Sequence, residues 1–353
     1  MNNSSHTLMT MLSSGLAGSE TRRQWFADHV YSDDKVMTQT DNGGNTVAAL
    51  LADDYTFSWY GCDMGMALVQ ACSTAPSHRG RGYMTQLMQR WLRAEHDRGA
   101  ALAAVWPEAD FLYYFFERLG FATTMFVNCQ RYTAVHPFAS DADYEPSTPT
   151  ADMLERLERL MAPAVVHSHS QFDMIEQWTR QCHGALAAVQ RPGDTPDQAV
   201  AIAGRDLRNG LVTVRQLVAD TPAAAQAALA QLRMKWPDSQ FEVWSDPRAD
   251  VATTRLRPRA MTRIVNVATI LQAMAAQNPH IHQTIRVHDP IIAGNNGVFI
   301  LANGTCTHTD STIRRLTLDV GIRTLGAILA SAPDTGSIFG LDTQRFLTPF
   351  IAL

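Results

Sequence analysis

Between Ser73 and Leu92 the chain reads STAPSHRGRGYMTQLMQRWL, and its residue types suit the binding of an anion. The Gly80-Arg81-Gly82 turn is followed by Met84, Leu87, Met88, Trp91 and Leu92, an i, i+3, i+4, i+7, i+8 spacing that makes one apolar helical face. The preceding MALVQACST is short, mostly apolar and ended by Ala75-Pro76, so it reads as a strand. Strand, glycine turn and helix follow one another, and the helix aims its free N–H groups into the turn. Arg79 and Arg81 add positive charge there, and pyrophosphate is the natural guest. Two familiar phosphate loops do not fit. No Lys follows Gly82, as a Walker loop needs, and Thr85 stands where the dinucleotide fingerprint has glycine. A solvated basic turn capping a core helix is the plainer alternative.

The elements that must position this turn can be read around it. At 353 residues with 46% hydrophobic content, the chain should form two or three domains with ample cores. A net charge of −5 speaks against non-specific nucleic-acid binding. No stretch reaches the roughly 18 consecutive apolar residues of a membrane span, so no membrane partner is expected. The first twenty residues carry no Lys or Arg ahead of their weakly apolar middle, unlike a secretory signal. Five cysteines without a C-x-x-C pair suit reduced thiols in a cytoplasmic protein.

Three blocks are expected: residues 1–135, 152–256 and 257–353. In the first, KVMTQTDNGGNTVAALL is a hairpin signal around Asn42-Gly43-Gly44. AALAAVWP reads as a buried strand. PEADFLYYFFERLGF then reads as a helix opened by Pro107 and closed by Gly120, with Phe111, Leu112, Phe115, Phe116 and Leu119 on its core face. The fold class is α/β (α+β), a mixed sheet flanked by helices. Residues 136–152 are polar and proline-rich, a linker. The second block repeats the order with GLVTVRQLVA, a helix in TPAAAQAALAQLRMKW capped by Thr221, and FEVWSDP. It has no glycine turn, so it reads as a degenerate copy that cannot hold pyrophosphate. The third block offers a helix in ATILQAMAAQ, strands turning at Asn295-Asn296-Gly297, and a strand and helix in STIRRLTLDVGIRTLGAILASA.

TAPSHRGRGYM, FFERLGF, MTRIVNV and LTLDVG, with the three-block plan, resemble the enhanced-intracellular-survival (Eis) type of GNAT acetyltransferases. The resemblance covers nearly the whole chain. It implies an active GNAT domain, a degenerate GNAT domain and a C-terminal domain like the sterol carrier proteins. It implies acetyl-CoA as cosubstrate, with Cys72, Ser73 and Thr74 pairing with the pantetheine arm. Arg79, Gly80, Arg81, Gly82, Tyr83, Met84 and Thr85 would wrap the pyrophosphate. A homo-oligomer is implied as well.

Acetyl transfer to an amine requires a neutral nucleophile, and only about one amine in a thousand is neutral at pH 7. The exposed strand edge at Cys72 to Thr74 could supply N–H donors to the oxyanion. The departing thiolate needs a proton, and the family takes it from the first aromatic of Y-x-R-F-G-Y/F. That position is Phe116, which has no proton to give. Tyr113, one turn earlier, is the better substitute, with Tyr114 flanking the other edge and water a third possibility. The resemblance implies that the base is the C-terminal carboxylate, here Leu353, and the tail RFLTPFIAL is apolar to its end.

Weaker constellations remain. His167 and His169 in HSHS, Cys182-His183, and His280 with His282 match no zinc module and read as solvated loops, so no metal site is expected. An excess of acidic residues, 34 against 29 basic, suits a cationic amine or lysine-bearing peptide as substrate. A non-catalytic coenzyme A or lipid binding protein is the alternative that Phe116 leaves open.

Overall fold

Glycines and capping residues mark where the chain turns, and the computed structural model follows those marks closely. It describes residues 3–16, 20–139, 143–193, 197–246, 255–310, 315–330 and 346–347. The chain divides into two units, Met1–Met125 with Arg259–Gln344, and Phe126–Pro258 with Arg345–Leu353.

The first unit begins with helices α1 (Asn3–Ser14) and α2 (Glu20–Trp25), the latter running into a π-turn at Phe26–Val30. Strand β1 (Val36–Thr40) pairs antiparallel with β2 (Thr46–Trp59) across the hairpin at Asn42 to Gly44, where Asp41 Oδ1 accepts the N–H of Gly43 and Asn45. Next come β3 (Cys62–Thr74), α3 (Tyr83–Asp97), β4 (Leu102–Val105), α4 (Asp110–Glu117) and β5 (Ala122–Tyr132). Strand β3 lies between β2, antiparallel, and β4, parallel. Helix α3 is the crossover. Its buried Leu87, Met88, Trp91 and Leu92 pack with Ala48, Leu50, Ala67 and Val69 of one sheet face. Helix α1 contacts β2 and β3 as well, with Gly15 against Ser73.

Two sequence expectations for α4 need correction. Pro107 does not open the helix; it is buried after β4, and the helix starts only at Asp110. Phe111, in the first turn, is 71% exposed and does not belong to the core face, whereas Phe116 and Leu119 do. Gly120 does close the helix, at φ +87°.

In the second unit the expected linker carries structure. Strand β6 (Glu145–Ser147) pairs antiparallel with Ala188 to Gln190, and α5 (Ala151–Leu160) begins at a Thr150 cap. Then follow β7 (Ala164–Val166), α6 (His169–Gln181) with a Ser168–Gln171 capping box, β8 (Ala185–Arg191), β9 (Asp197–Arg205), β10 (Val212–Ala219), α7 (Pro222–Lys235) and β11 (Phe241–Ser245). The order β8, β9, β10 is antiparallel; β10 and β11 are parallel and joined by α7, and β11 pairs with the end of β5. His167 does not lie in a solvated loop. It is buried, its Nδ1 2.6 Å from Glu158 Oε1, which also accepts from Gln216 Nε2 at 2.6 Å.

The chain from Arg259 returns to the first unit. Strand β12 (Arg255–Ile264) pairs antiparallel with β4 over Met261 to Ile264. Helix α8 (Val267–Gln277) precedes β13 (Gln283–His288), β14 (Gly297–Ala302), β15 (Thr305–Thr309), β16 (Leu318–Gly321) and α9 (Ile322–Ala330). The four strands form a separate small sheet in the order β15-β14-β13-β16. In the second unit, β17 (Phe346–Leu347) pairs with β7 through Leu347 and Ala164. By contacts, the described residues from Arg259 through Ala330 group with the first unit.

Candidate active site

The site begins where two parallel strands part. Strands β3 and β4 pair only from Met66–Leu102 to Leu68–Ala104. One residue later β3 bulges: Val69 faces Ala52 and Ala71 faces Leu51, leaving Gln70 as the extra residue. Beyond it, β3 has no ladder partner on the β4 side among the described residues. Ala75 N donates to Val47 O at 2.9 Å, so by antiparallel alternation Ser73 directs its main-chain groups to β2. Cys72 and Thr74 direct theirs into the opening. Ser73 is therefore turned away from the edge that the sequence had assigned to all three.

The glycine turn lies at the end of this edge. Gly80 and Gly82 hold φ of +75° and +83°, and a Cβ at either would meet nothing within 4 Å. Backbone conformation, not crowding, is what asks for glycine here. Gly82 is the N-cap of α3, with no side-chain cap and no acidic residue in the first turn. The helix thus presents N–H groups and the positive end of its dipole to the turn. Arg79 Nε donates to Thr74 O at 3.2 Å, tying the turn to the open edge, and Arg81 is exposed. Tyr83, Met84 and Cys72 border the same core as α3, while Thr85 is half-buried. A pyrophosphate needs N–H donors and cations, and a pantetheine arm needs free strand-edge amides. The residues present fit coenzyme A.

Helix α4 borders the same core. Phe116 is 3% exposed, its ring centroid 5.1 Å from Phe115 and 5.7 Å from Phe121. Tyr113 is half-buried beside that core, whereas Tyr114 is 71% exposed. Burial raises the Tyr113 hydroxyl above the ordinary tyrosine range, Arg259 pulling it down and Asp110 up. Tyr113 therefore keeps its proton at neutral pH. Leu353 lies outside the described residues.

Two features escaped the sequence. Arg22 of α2 meets Glu108, after β4, at 2.6 Å. Burial, with the Glu108 charge added, pushes the Cys72 thiol up to about 11. Gln70, at the bulge, donates to the Tyr55 hydroxyl at 3.1 Å. No local pattern announces either pair, since each joins residues from different elements. Among the described residues, no group of three or more His, Cys, Asp and Glu could hold a metal ion. No helix among them is long and apolar enough to cross a membrane.

Parted parallel strands, a bulged central strand and a glycine turn feeding a helix define an acyl-CoA acyltransferase fold. Residues 5–124 match the acetyltransferase (GNAT) domain family, and the chain carries a GNAT acyl-CoA N-acyltransferase domain. Its fold is similar to that of Eis1 from Mycobacterium abscessus, at 16% identity and a TM-score of 0.70, covering 99% of this chain and 96% of that one. A GCN5-related N-acetyltransferase from Anabaena variabilis ATCC 29413 is similar at 17% identity and a TM-score of 0.75, covering 98% and 92%. Another from Kribbella flavida is similar at 18% and 0.74, covering 99% and 97%. No curated protein matches in sequence.

Proposed function

We propose that the chain transfers acetyl from acetyl-CoA to a primary amine of a cationic small molecule or peptide. The observation that carries this is the opening between β3 and β4 leading to an uncapped helix N-terminus. In the proposed reaction, the turn from Arg79 to Thr85 holds the pyrophosphate, and the Cys72 and Thr74 edge holds the pantetheine amides. Main-chain N–H groups of that edge steady the carbonyl oxygen as the amine nitrogen bonds to the carbonyl carbon. Tyr113 gives its proton to the departing sulfur as the carbon–sulfur bond breaks. The Leu353 carboxylate takes the proton that the amine loses. The acidic excess of the chain, 34 residues against 29, favours a cationic acceptor.

The second block is proposed as a degenerate GNAT domain. Both units carry an antiparallel pair, a bulge on its second strand, and a parallel strand reached through a helix; the extra residues are Gln70 and Arg215. At the head of α7, however, Thr221 Oγ1 accepts the N–H of Ala224, and Asp220 is paired with Arg156 at 2.6 Å. That N-terminus is already capped and has an acid beside it. On family resemblance, the block from residue 257 onward is proposed as a sterol-carrier-like domain and the chain as a homo-oligomer; its five cysteines without a C-x-x-C pair support a cytoplasmic place.

Phe116 favours a second possibility, a coenzyme A or lipid binding protein without turnover. Thiol release from acetyl-CoA across a panel of primary amines separates the two. Release with a cationic amine is expected. Coenzyme A binding without release for any amine would leave only the binding protein.

A further inference from the structure

Strand β12 reaches α4 through one of its faces. Arg259, Met261 and Arg263 share that face, because successive side chains of a strand alternate. Arg263 Nε donates to Leu119 O at 2.8 Å, just past the end of α4. Met261 packs into the same core as Phe116. Leu119, Phe116 and Tyr113 stand three residues apart, each the surface neighbour of the next. From Arg263 to Arg259 the strand advances about 13 Å, and from Leu119 to Tyr113 the helix advances about 9 Å. Strand and helix therefore run side by side, and the length of an arginine side chain covers the difference between Arg259 and Tyr113.

Trp106 holds the guanidinium in place. It follows β4 directly, and Met261 faces Val105 in the antiparallel ladder, so Arg259 runs beside the residues that leave that strand. Arg259 Cζ lies 5.2 Å from the Trp106 ring centroid, a cation–π contact, and Arg259 is half-buried. Two charges bear on the Tyr113 hydroxyl. Burial raises it above the ordinary tyrosine range, Arg259 lowers it, and Asp110, in the first turn of α4, raises it.

We propose that Arg259 is a positioning residue of the acetyl transfer, stabilising the tyrosinate that Tyr113 becomes on giving up its proton. The proposal rests on the acetyl-transfer reading above. In that step the carbon–sulfur bond breaks and its electron pair goes to sulfur. The Tyr113 proton moves to the same sulfur, and negative charge is left on the phenolic oxygen beside the guanidinium. A proton donor works best when its pKa lies near the operating pH. Burial takes Tyr113 away from that match and Arg259 brings it back. A cation already fixed on Trp106 needs no reorganisation as the charge develops.

NMR of the full chain carrying ring-labelled tyrosine, through an alkaline titration, reads the Tyr113 hydroxyl directly. Its signal is the one absent from Tyr113→Phe. Removing a neighbouring cation disfavours tyrosinate, so Arg259→Gln should move the Tyr113 midpoint to higher pH. Arg259→Lys should move it less, and Asp110→Asn should move it to lower pH. Turnover with acetyl-CoA and an amine should fall about tenfold or more in Arg259→Gln, with coenzyme A affinity by calorimetry unchanged. Arg259→Lys, which keeps the charge, should restore part of it. In the Tyr113→Phe background the same Arg259→Gln change should cost little more, because the two residues act as one unit. A Tyr113 midpoint unmoved in Arg259→Gln, or an equal loss of turnover with and without the Tyr113 hydroxyl, would overturn the proposal. A wild-type chain that binds coenzyme A but releases no thiol with any amine overturns the acetyl-transfer reading instead, and the midpoint still decides whether Arg259 governs Tyr113.

Discussion

Arg263 and Asp289 meet at 2.6 Å with neither side chain exposed to solvent. The guanidinium also donates to Leu119 O at 2.8 Å and Ile264 O at 3.1 Å. Asp289 in turn accepts from Ile291 N, Ile292 N and Asn295 Nδ2. The pair ties the end of α4 to the segment leading into the small sheet's β13–β14 connection. Removing one partner of such a buried pair costs about 3–5 kcal/mol. Arg263→Met should therefore lower the urea midpoint of the first unit markedly. Gly120→Ala should act in the same direction, since its φ is +87° and a Cβ would lie 2.9 Å from both Arg263 Nε and Ile322 Cγ2. A midpoint unchanged in both variants would remove the pair's structural role.

Coenzyme A affinity should depend on the glycine turn. Arg79→Glu with Arg81→Glu replaces attraction by repulsion at a phosphate, and both residues are exposed, so folding should survive. At about 1.5–3 kcal/mol for each charged hydrogen bond, the dissociation constant should rise at least about 100-fold. Calorimetry on the wild-type chain should also give a single coenzyme A, because the head of α7 is capped by Thr221. An affinity unmoved by the double variant would take the turn out of the site.

Turnover should depend on the Tyr113 hydroxyl. Tyr113→Phe keeps the ring and should lower turnover by about 10²–10⁴-fold with coenzyme A affinity unchanged. Appending residues after Leu353 should likewise cut turnover and spare binding. A fully active extended chain would exclude the terminal carboxylate as base, and a fully active Tyr113→Phe would transfer the donor role to Tyr114 or water.

The Cys72 thiol should titrate lower when Glu108 loses its charge. Burial and the Glu108 carboxylate both oppose the thiolate, which places the thiol at about 11. Glu108→Gln removes the second of these, so the alkylation profile of Cys72 should shift to lower pH. A profile that stays in place would mean that burial alone governs it.

Features set by neighbours in sequence were legible in advance. The Thr221 cap, the hairpin turn around Asn42-Gly43-Gly44 and the apolar stripe of α3 depend on spacing over a few residues, and the structure has each of them. Features set by distant partners were not. His167 reads as a solvated loop residue until Glu158 and Gln216 are placed beside it. Arg22 lies in a segment whose sequence shows no motif, and only the fold brings it to Glu108. Phe111 follows the apolar spacing of its helix, yet it sits in a first turn that projects beyond the core. The bulges at Gln70 and Arg215 alter strand register, and a single sequence does not display register.

The membership of Arg259 to Ala330 in the first unit has a consequence for how the chain is made. Strand β4 waits for β12, and Leu119 O waits for Arg263, until the chain has been made through Ile264. About 140 residues separate Met125 from Ile264, and at roughly 5–20 residues per second the delay is roughly 7–28 s. Most of the second unit emerges whole during that interval and can fold at once. The acyltransferase domain, though it leaves the ribosome ahead of the second unit, gains β12 only after most of that unit, and until then its β4 edge is exposed to chaperones and to other nascent chains.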